Sequence, residues 1–261
     1  MAQSATAPAP PRFSPPLEQM LAYKHIIERP AGDQMMRSVV TRCAVFRRFG
    51  RGYRLDARVA DVRDSGPDKL LELLAIGGAI KREESLILDL GPTGAIIAVQ
   101  DMNASWQRLA DAAKILRASL DQRATSPIAR VAATQLLDTI ITMPENQRQA
   151  YFASAVRPIL GFADAAMVDG KWTYPATGET ARLIAGEGDK ARFALSSVPP
   201  STPESSISSQ SEGTLIIGPD GLLHSVQRTI RVDVLGTERV NYDSWERVED
   251  PAEVQRLCAL D

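Results

Sequence analysis

Two segments of the chain share a hydrophobic pattern that is centred on the same turn. Residues 88–100 read Leu-Asp-Leu-Gly-Pro-Thr-Gly-Ala-Ile-Ile-Ala-Val-Gln, and residues 215–227 read Leu-Ile-Ile-Gly-Pro-Asp-Gly-Leu-Leu-His-Ser-Val-Gln. Proline presets φ for the first central position of a type I turn. The second glycine, Gly94 or Gly221, accepts the left-handed conformation that closes a hairpin through a one-residue bulge. The pattern therefore predicts two twisted β-hairpins.

Alternation of apolar and polar residues predicts further strands on both sides of the middle of the chain. Before the first turn the strand segments are 21–28, 35–49 and 53–59, and after the middle they are 180–184, 192–196, 222–234 and 240–248. In segment 222–234 the predicted buried face contains Leu222, His224, Val226 and Ile230, and Arg228 interrupts it. One wet face and one buried face are typical of an antiparallel sheet.

Apolar residues change to helical spacing between residues 102 and 162. The first stripe comprises Met102, Trp106, Leu109, Ala113, Leu116 and Leu120. Ser126-Pro127 opens a second helix, whose predicted apolar side comprises Ile128, Val131, Leu136, Leu137, Ile140 and Ile141. Met143-Pro144 starts a third helix, with Tyr151, Phe152, Ala155 and Val156 facing inward. A leucine-rich segment at 70–76 predicts one or two further helical turns, which Gly77 and Gly78 end.

The order sheet, helices, sheet predicts an α+β protein. We expect a curved, half-barrel-like antiparallel sheet of two meanders, with a central helical insert packed on its concave face. Residues 1–20 are predicted to form a flexible Ala/Pro-rich tail, residues 21–250 a single domain and residues 251–261 a C-terminal tail. Within the domain the first meander spans 21–101, the insert 102–167 and the second meander 168–250. A Ser/Pro-rich stretch at 199–211 predicts a long polar loop.

Composition narrows the function classes. The 261 residues carry a formal net charge of −2, so the chain has no global basic field for nucleic acid. The longest apolar runs are too short to span a bilayer, so we expect no integral membrane segment. The N-terminus is similar to the start of a mature exported bacterial protein. It predicts a periplasmic or secreted protein, with a cytoplasmic one as the alternative. Cys43 and Cys258 either pair in an oxidising compartment or remain separate thiols.

Candidate catalytic chemistry is sparse. The chain has two histidines, His25 and His224, and no Gly-x-Ser-x-Gly motif. These histidines and the two cysteines lack the spacing of a zinc site. We therefore predict no catalytic, cofactor-binding or metal-binding residue and no cofactor. His224 is expected to be a hydrogen-bonded histidine of the core.

The inward-facing aromatic and apolar side chains of the insert have two interpretations. In one they fill the core, as such residues most often do. In the other they line a cavity, because a curled sheet with helices over its concave face can enclose an apolar space. The predicted ligand wall in that case comprises Met102, Trp106, Leu109, Tyr151, Phe152 and Phe162.

The order of elements over residues 20–250, with the turns at Gly91 and Gly218, resembles the LolA/LolB-type lipoprotein-carrier half-barrels. It is also similar to uncharacterised exported proteobacterial proteins that carry Gly-Pro-Asp-Gly hairpins. The first resemblance implies an open antiparallel barrel whose helical lid holds acyl chains in the envelope of Gram-negative bacteria.

These observations predict a non-enzymatic cell-envelope protein that binds a lipid-like or other apolar ligand between sheet and helices. One alternative is a structural or protein-interaction module with a filled core and no small-molecule ligand. The third is an enzyme of unrecognised type. A ligand-sized void under the helices favours the first, dense packing favours the second, and a polar pocket that gathers His224, Arg228 and carboxylates favours the third.

Overall fold

The computed structural model of the protein describes residues 12–31, 33–123, 127–163, 165–168, 171–174, 179–187, 189–197, 207–234 and 237–259. The first group of strands is β1 (Met20–Ala31), β2 (Gln34–Phe49), β3 (Gly52–Ser65), β4 (Ser85–Leu90) and β5 (Ile96–Val99). The second group is β6 (Ala166–Val168), β7 (Lys171–Thr173), β8 (Thr180–Glu187), β9 (Lys190–Ser197), β10 (Ile207–Ile217), β11 (Leu223–Val234) and β12 (Thr237–Arg247). The helices are α1 (Asp68–Arg82), α2 (Met102–Arg123), α3 (Pro127–Thr142), α4 (Glu145–Val156) and α5 (Pro251–Cys258), and a 3₁₀ turn spans Arg157–Leu160.

All twelve strands hydrogen-bond into one open antiparallel sheet, in the order β5-β4-β3-β2-β1-β12-β11-β10-β9-β8-β7-β6. The first strand pairs with the last at its centre, where His25 lies opposite Trp245. The predicted α+β class and the shared, curved antiparallel sheet are therefore confirmed.

The helices between the two strand groups connect the two edges of this sheet. The chain leaves the sheet at β5, passes through α2, α3 and α4, and re-enters at β6. Side chains from both halves of the sheet and from these helices form one buried cluster, which includes Phe46, Phe193, Trp106, Leu137 and Phe152. We call the sheet face that bears this cluster the concave face. Its burial is the main source of stability, because apolar area removed from water contributes about 25 cal/mol per Å².

Helix α1 is longer than its sequence pattern predicts. It runs for 15 residues and passes through Gly77 and Gly78 without ending, so the predicted glycine stop is wrong. Gly78 packs against β3, where a Cβ would lie 3.1 Å from Val62 Cγ1. Gly78 therefore allows the helix to approach the sheet closely.

Both predicted hairpin turns form as expected. Gly94 and Gly221 have φ of 87° and 75°, and each donates its N–H to the carbonyl of the first glycine of its turn at 3.0 Å. The register shifts once in each hairpin, so Ile97 and His224 are the extra residues of equivalent bulges. Each bulge changes the phase of the alternation. The prediction that His224 lies on the buried apolar face is therefore wrong, and Ile97 is 66% exposed.

The described part of the predicted N-terminal tail, residues 12–19, packs against the sheet. The Phe13 ring stands edge-on to Tyr53 at 5.4 Å, and the Ser14 N–H donates to the carbonyl of Asp220 at 2.8 Å. A Cβ on Gly94 would meet the Phe13 ring, and one on Gly221 would meet Arg12 and Phe13. The segment therefore bridges two turns from opposite halves of the sheet, which only a strongly curved sheet brings together. Residues 1–11 lie outside the described part.

The predicted C-terminal tail contains helix α5. Asp250 caps it by accepting the Ala252 N–H at 3.0 Å, and Cys258 forms a disulfide with Cys43 of β2. Val254 joins Cys43 in a second buried cluster on the opposite, convex face of the sheet. The sequence signals of this helix were the Asp-Pro cap and the apolar pair Val254 and Cys258 at helical spacing.

Two smaller predictions also need correction. The predicted loop 199–211 ends earlier, because β10 begins at Ile207 and Ser211 pairs with Ser197 of β9; residues 199–206 lie outside the described part. On α3, Leu137 and Ile140 are buried as predicted, whereas Val131 and Leu136 are exposed. The apolar stripe of α2 from Trp106 to Leu120 is confirmed by its burial. No described helix has both the length and the apolar character needed to cross a membrane.

Candidate functional site

A pocket of ≈ 420 Å³ lies between the concave face of the second half of the sheet and the segment formed by α4 and the 3₁₀ turn. Its apolar lining comprises Leu215, Leu223, Val226, Ile230, Trp245 and Pro158. Its polar lining includes His25, Ser154, Arg157, Glu179, Arg228 and Asp243. Because inward side chains alternate along each strand, one wall of the pocket is formed by neighbouring residues of β1, β12 and β11.

Arg228 is at the centre of an ion cluster in this pocket. Its Nε and Nη2 donate to the two carboxylate oxygens of Glu179 at 2.8 and 2.9 Å, and its Nη1 lies 3.4 Å from Asp243 Oδ1. Glu179 precedes β8, whereas Arg228 and Asp243 are opposite each other on β11 and β12. The bidentate geometry is the strong form of an arginine–carboxylate pair. It explains how an arginine can interrupt an otherwise apolar strand face.

His25 extends the cluster onto β1. Its Nε2 lies 2.8 Å from Asp243 Oδ2, and its ring stacks on the indole of Trp245 at 4.2 Å with an interplanar angle of 16°. Among the described residues, Asp243 is the one hydrogen-bond partner of the His25 ring. The ring is thus held by one stacking contact and one carboxylate.

Burial sets the protonation of this cluster. It lowers the pKa of the His25 imidazole, and the hydrogen bond to Asp243 opposes this effect without reversing it. Burial would also raise the pKa of the Asp243 carboxyl, but the bond to His25 and the charge of Arg228 outweigh it, so this pKa is lowered. A neutral His25 therefore donates its Nε2–H to an ionised Asp243. Burial disfavours the charged form of Arg228, yet Glu179 and Asp243 raise its pKa above the usual value.

A second buried ion pair lies further along the concave face. Arg42 of β2 donates to Glu84 at 2.6 Å, and the Tyr151 hydroxyl of α4 donates to the same carboxylate at 3.2 Å. Burial and the Glu84 charge raise the pKa of Tyr151, so the hydroxyl keeps its proton. Burial lowers the pKa of the neighbouring Lys81, although Glu84 opposes the shift. The concave face therefore contains two buried ion clusters, one centred on Arg228 and one on the Arg42–Glu84 pair.

The six predicted wall residues lie in or against this core. Trp106, Leu109 and Phe152 are buried in the main cluster, and Met102, Tyr151 and Phe162 are partly buried against it. None of the six lines the pocket described above. Phe162 stacks on Trp172 and Tyr174, while Tyr151 bonds to Glu84. Contact of these residues with a ligand stays a prediction.

The enzyme alternative named a polar pocket that gathers His224, Arg228 and carboxylates; the pocket contains Arg228, Glu179 and Asp243, and its histidine is His25. The bulge places His224 beside Lys190 and Glu249, at 3.0 and 3.2 Å. His25 follows Leu21 and Tyr23 at every second position of β1, and both are buried. That alternation was the sequence signal for an inward-facing His25, whereas nothing in the sequence pairs it with Asp243, 218 residues away. Within the described ranges, no group of three or more His, Cys, Asp or Glu residues is placed to hold a metal ion.

The fold and the site together define an open antiparallel half-barrel with an amphipathic pocket under its helices. No family model and no curated protein matches the chain. A solved structure of lipovitellin, described for its lipid–protein interactions, aligns with 88% of this chain. The aligned part is 24% of the lipovitellin chain, with 8% sequence identity and a TM-score of 0.43. A protein from Nitrosomonas europaea, provisionally assigned as AttH, aligns with 87% of this chain. The aligned part is 48% of the Nitrosomonas chain, with 10% sequence identity and a TM-score of 0.17. The chain thus spans about a quarter and about half of these two proteins, and its resemblance to them is weak and architectural.

Proposed function

We propose that this protein is a non-enzymatic binding protein of the cell envelope, which holds an amphipathic, lipid-like ligand between the sheet and α4. The observation that carries the proposal is the ≈ 420 Å³ pocket, which combines an apolar lining with one polar corner. Ligand pockets usually enclose about 300–1,000 Å³ and combine apolar walls with a few placed polar groups.

The paired charges of the polar corner define the kind of head group that fits. Arg228 is already bonded to Glu179 and Asp243, and His25 is neutral. A ligand with a bare charge would have to break one of these buried pairs, at a cost of several kcal/mol. We therefore propose a head group that forms hydrogen bonds, such as a hydroxyl or an amide, with an apolar remainder along Leu223, Val226 and Ile230.

The disulfide supports the envelope location in the proposal. Disulfides such as Cys43–Cys258 form and persist in oxidising compartments, which include the bacterial periplasm, and are rare in the cytosol. A reducing compartment would leave α5 without its covalent link to β2.

Filling the pocket tests the proposal. Ser154 is an exposed residue of α4 that lines the pocket, so Ser154→Trp should occupy the space without disturbing the core. We expect native mass spectrometry of the wild-type protein from a bacterial host to show a bound lipid-like mass, which Ser154→Trp loses. Gln135→Trp, at an exposed position of α3, is the matched control and should retain it.

Two results would contradict the proposal. One is that the wild-type protein carries no ligand and binds no naphthylamine-type apolar fluorophore. The other is that Ser154→Trp and Gln135→Trp bind that fluorophore as well as the wild type, which would place the ligand elsewhere. Equal unfolding midpoints of the three proteins would show that the fold is retained.

A further inference from the structure

The hairpin between β2 and β3 combines arginine and aromatic residues at one end of the sheet. Residues 46–54 read Phe-Arg-Arg-Phe-Gly-Arg-Gly-Tyr-Arg. Arg47, Arg48, Phe49 and Arg51 are exposed, in a chain whose net charge is −2. We call residues 47–54 the arginine tip. Four cations within eight residues make a local basic surface on a slightly acidic protein.

Two of these four arginines form ion pairs with carboxylates of the protein, and the other two do not. Arg47 lies 3.2 Å from Glu18 and 3.7 Å from Asp56, and Arg54 lies 2.8 Å from Asp89. Within the described residues, no carboxylate lies within ion-pair distance of Arg48 or Arg51. Arg48 packs over the ring of Tyr53 at 4.6 Å, and Arg51 is at the turn itself.

Exposed apolar side chains lie within the arginine tip and on the segment that pairs with the end of β2. The Phe49 ring is 46% exposed, and the Arg54 guanidinium stacks on it at 3.8 Å. Leu17 and Met20, which pair with Phe46 and Val45 of β2, are 42% and 38% exposed. A cation over an aromatic face stabilises the ring in its exposed position. The tip thus presents apolar side chains next to two arginines that have no carboxylate partner among the described residues.

We propose that the arginine tip docks this protein onto the surface of a membrane that contains anionic lipids. Arg48 and Arg51 would meet lipid phosphates, while Phe49, Leu17 and Met20 would enter the region between head groups and acyl chains. Basic residues next to apolar ones are the features that peripheral proteins use to bind anionic bilayers. Nucleic acid is the less favoured partner, because it offers a phosphate surface without an apolar layer to accept aliphatic Leu17 and Met20.

Vesicle flotation tests the proposal on the full chain. We expect binding to vesicles of 70% phosphatidylcholine and 30% phosphatidylglycerol, much weaker binding to phosphatidylcholine alone, and loss of binding at high salt. Because each arginine near an anionic surface contributes about a five-fold factor, Arg48→Gln with Arg51→Gln should weaken binding roughly 25-fold. Phe49→Ser should weaken binding to the same vesicles with less dependence on salt.

The matched control is Arg182→Gln with Arg239→Gln, which removes the same charge from exposed positions elsewhere on the sheet. It should bind like the wild type. Equal losses in the two double variants would overturn the proposal, because they would show a response to net charge alone. The proposal would also be overturned if the wild-type protein did not bind anionic vesicles but bound a single-stranded oligonucleotide through Arg48 and Arg51. Unchanged unfolding midpoints of the variants would exclude misfolding. The wild-type comparison of the two vesicles tests binding to an anionic membrane without any variant, and the two double variants test whether the tip is responsible.

Discussion

A single arginine is accommodated on the apolar face of β11 because three elements supply its partners. Arg228 contacts Glu179 before β8 and Asp243 on β12, and Asp243 in turn accepts from His25 of β1. Each side chain in the cluster is at least three-quarters buried. Buried charges in this arrangement depend on one another, since the removal of one leaves another without compensation.

We expect Arg228→Ala to reduce the free energy of unfolding by about 3–5 kcal/mol, because Glu179 and Asp243 would remain buried without their cation. Urea denaturation followed by circular dichroism measures the loss. Arg231→Ala is the control, since Arg231 forms an exposed pair with Glu212, and its denaturation midpoint should match the wild type. A loss below about 1 kcal/mol for Arg228→Ala would show that the cluster is hydrated or rearranges.

The lowered pKa of His25 predicts a pH dependence of stability. Unfolded histidine takes up a proton near pH 6.5, whereas folded His25 does so at lower pH. Between these values the unfolded state binds more protons, so the His25 contribution is complete above about pH 6.5 and declines as the pH falls towards its folded pKa. The lowered pKa of Asp243 adds a second loss below about pH 4.

Urea denaturation between pH 7.5 and 5 checks this expectation. His25→Gln keeps a donor for Asp243 but does not titrate, so its stability should fall less over this range than that of the wild type. Gln135→Ala, at an exposed position without a titratable group, is the control and should keep the wild-type slope. If all three proteins show the same slope, the pH dependence arises elsewhere in the chain.

The residues of the pocket show what alternation can and cannot predict. Period-two spacing identifies Arg228 as inward-facing, and the same rule applies to His25 after Leu21 and Tyr23. It fails at His224, because a one-residue bulge inverts the side-chain phase and nothing in the sequence marks which residue bulges. The partners of Arg228 depend on the β11–β12 register and on the position of Glu179 before β8, whereas the partner of His25 depends on β1–β12 pairing, which is a property of the whole sheet.

At the scale of elements, α1 shows tertiary packing that overrides a local signal. Two adjacent glycines are a common helix stop, yet the helix continues for four more residues and ends after Arg82. Their surroundings differ: nothing lies within 4 Å of a Cβ on Gly77, whereas Val62 and Asp64 lie 3.1 and 3.2 Å from one on Gly78. A larger residue can thus replace Gly77, whereas Gly78 sets the distance between the helix and the sheet.

The two glycines therefore form a matched pair. Gly77→Ala should stabilise the protein by about 0.5–1 kcal/mol, because alanine loses less backbone freedom on helix formation. Gly78→Ala should give a smaller gain or a loss, because Val62 and Asp64 must move. Chemical denaturation of the two variants measures the difference, and a larger gain for Gly78→Ala than for Gly77→Ala would contradict the packing of α1 on β3.

The other helices could be predicted from the sequence to different degrees. The insert helices carry apolar residues at helical spacing, and their existence and the break at Pro144 could be predicted. Helix α5 was missed because its eight residues bury only Val254 and Cys258, and because the disulfide that attaches Cys258 to β2 depends on long-range geometry.

At the scale of the molecule, the N-terminal segment joins the two halves of the sheet. Residues 12–16 contact the β4–β5 turn through Gly94 and the β10–β11 turn through Gly221 and Asp220. The sequence pattern of this stretch is that of a tail, since its prolines and isolated Phe13 show no periodicity. Only the curvature of the sheet, which brings the β4–β5 and β10–β11 turns together, creates the site that Phe13 occupies.

Comparison of two shortened chains measures this contribution. A chain that begins at residue 17 should melt several degrees below one that begins at residue 12, because it loses the Phe13 contacts with Phe46 and Tyr53 and the bond from Ser14 to Asp220. In the longer chain, Phe13→Ala should reproduce much of the loss. Equal melting temperatures of the two shortened chains would show that the segment does not stabilise the curved sheet.

The pairing of the first strand with the last also constrains biosynthesis. While the chain emerges from the ribosome, β1 can pair with β2, but the other edge of β1 has no partner until β12 is made. His25, for example, has no carboxylate partner until Asp243 is synthesised 218 residues later. At usual translation rates that interval is on the order of tens of seconds, during which the nascent chain has an open strand edge. We expect the sheet to complete only after β12 has emerged, and folding to benefit from a chaperone that covers that edge until then.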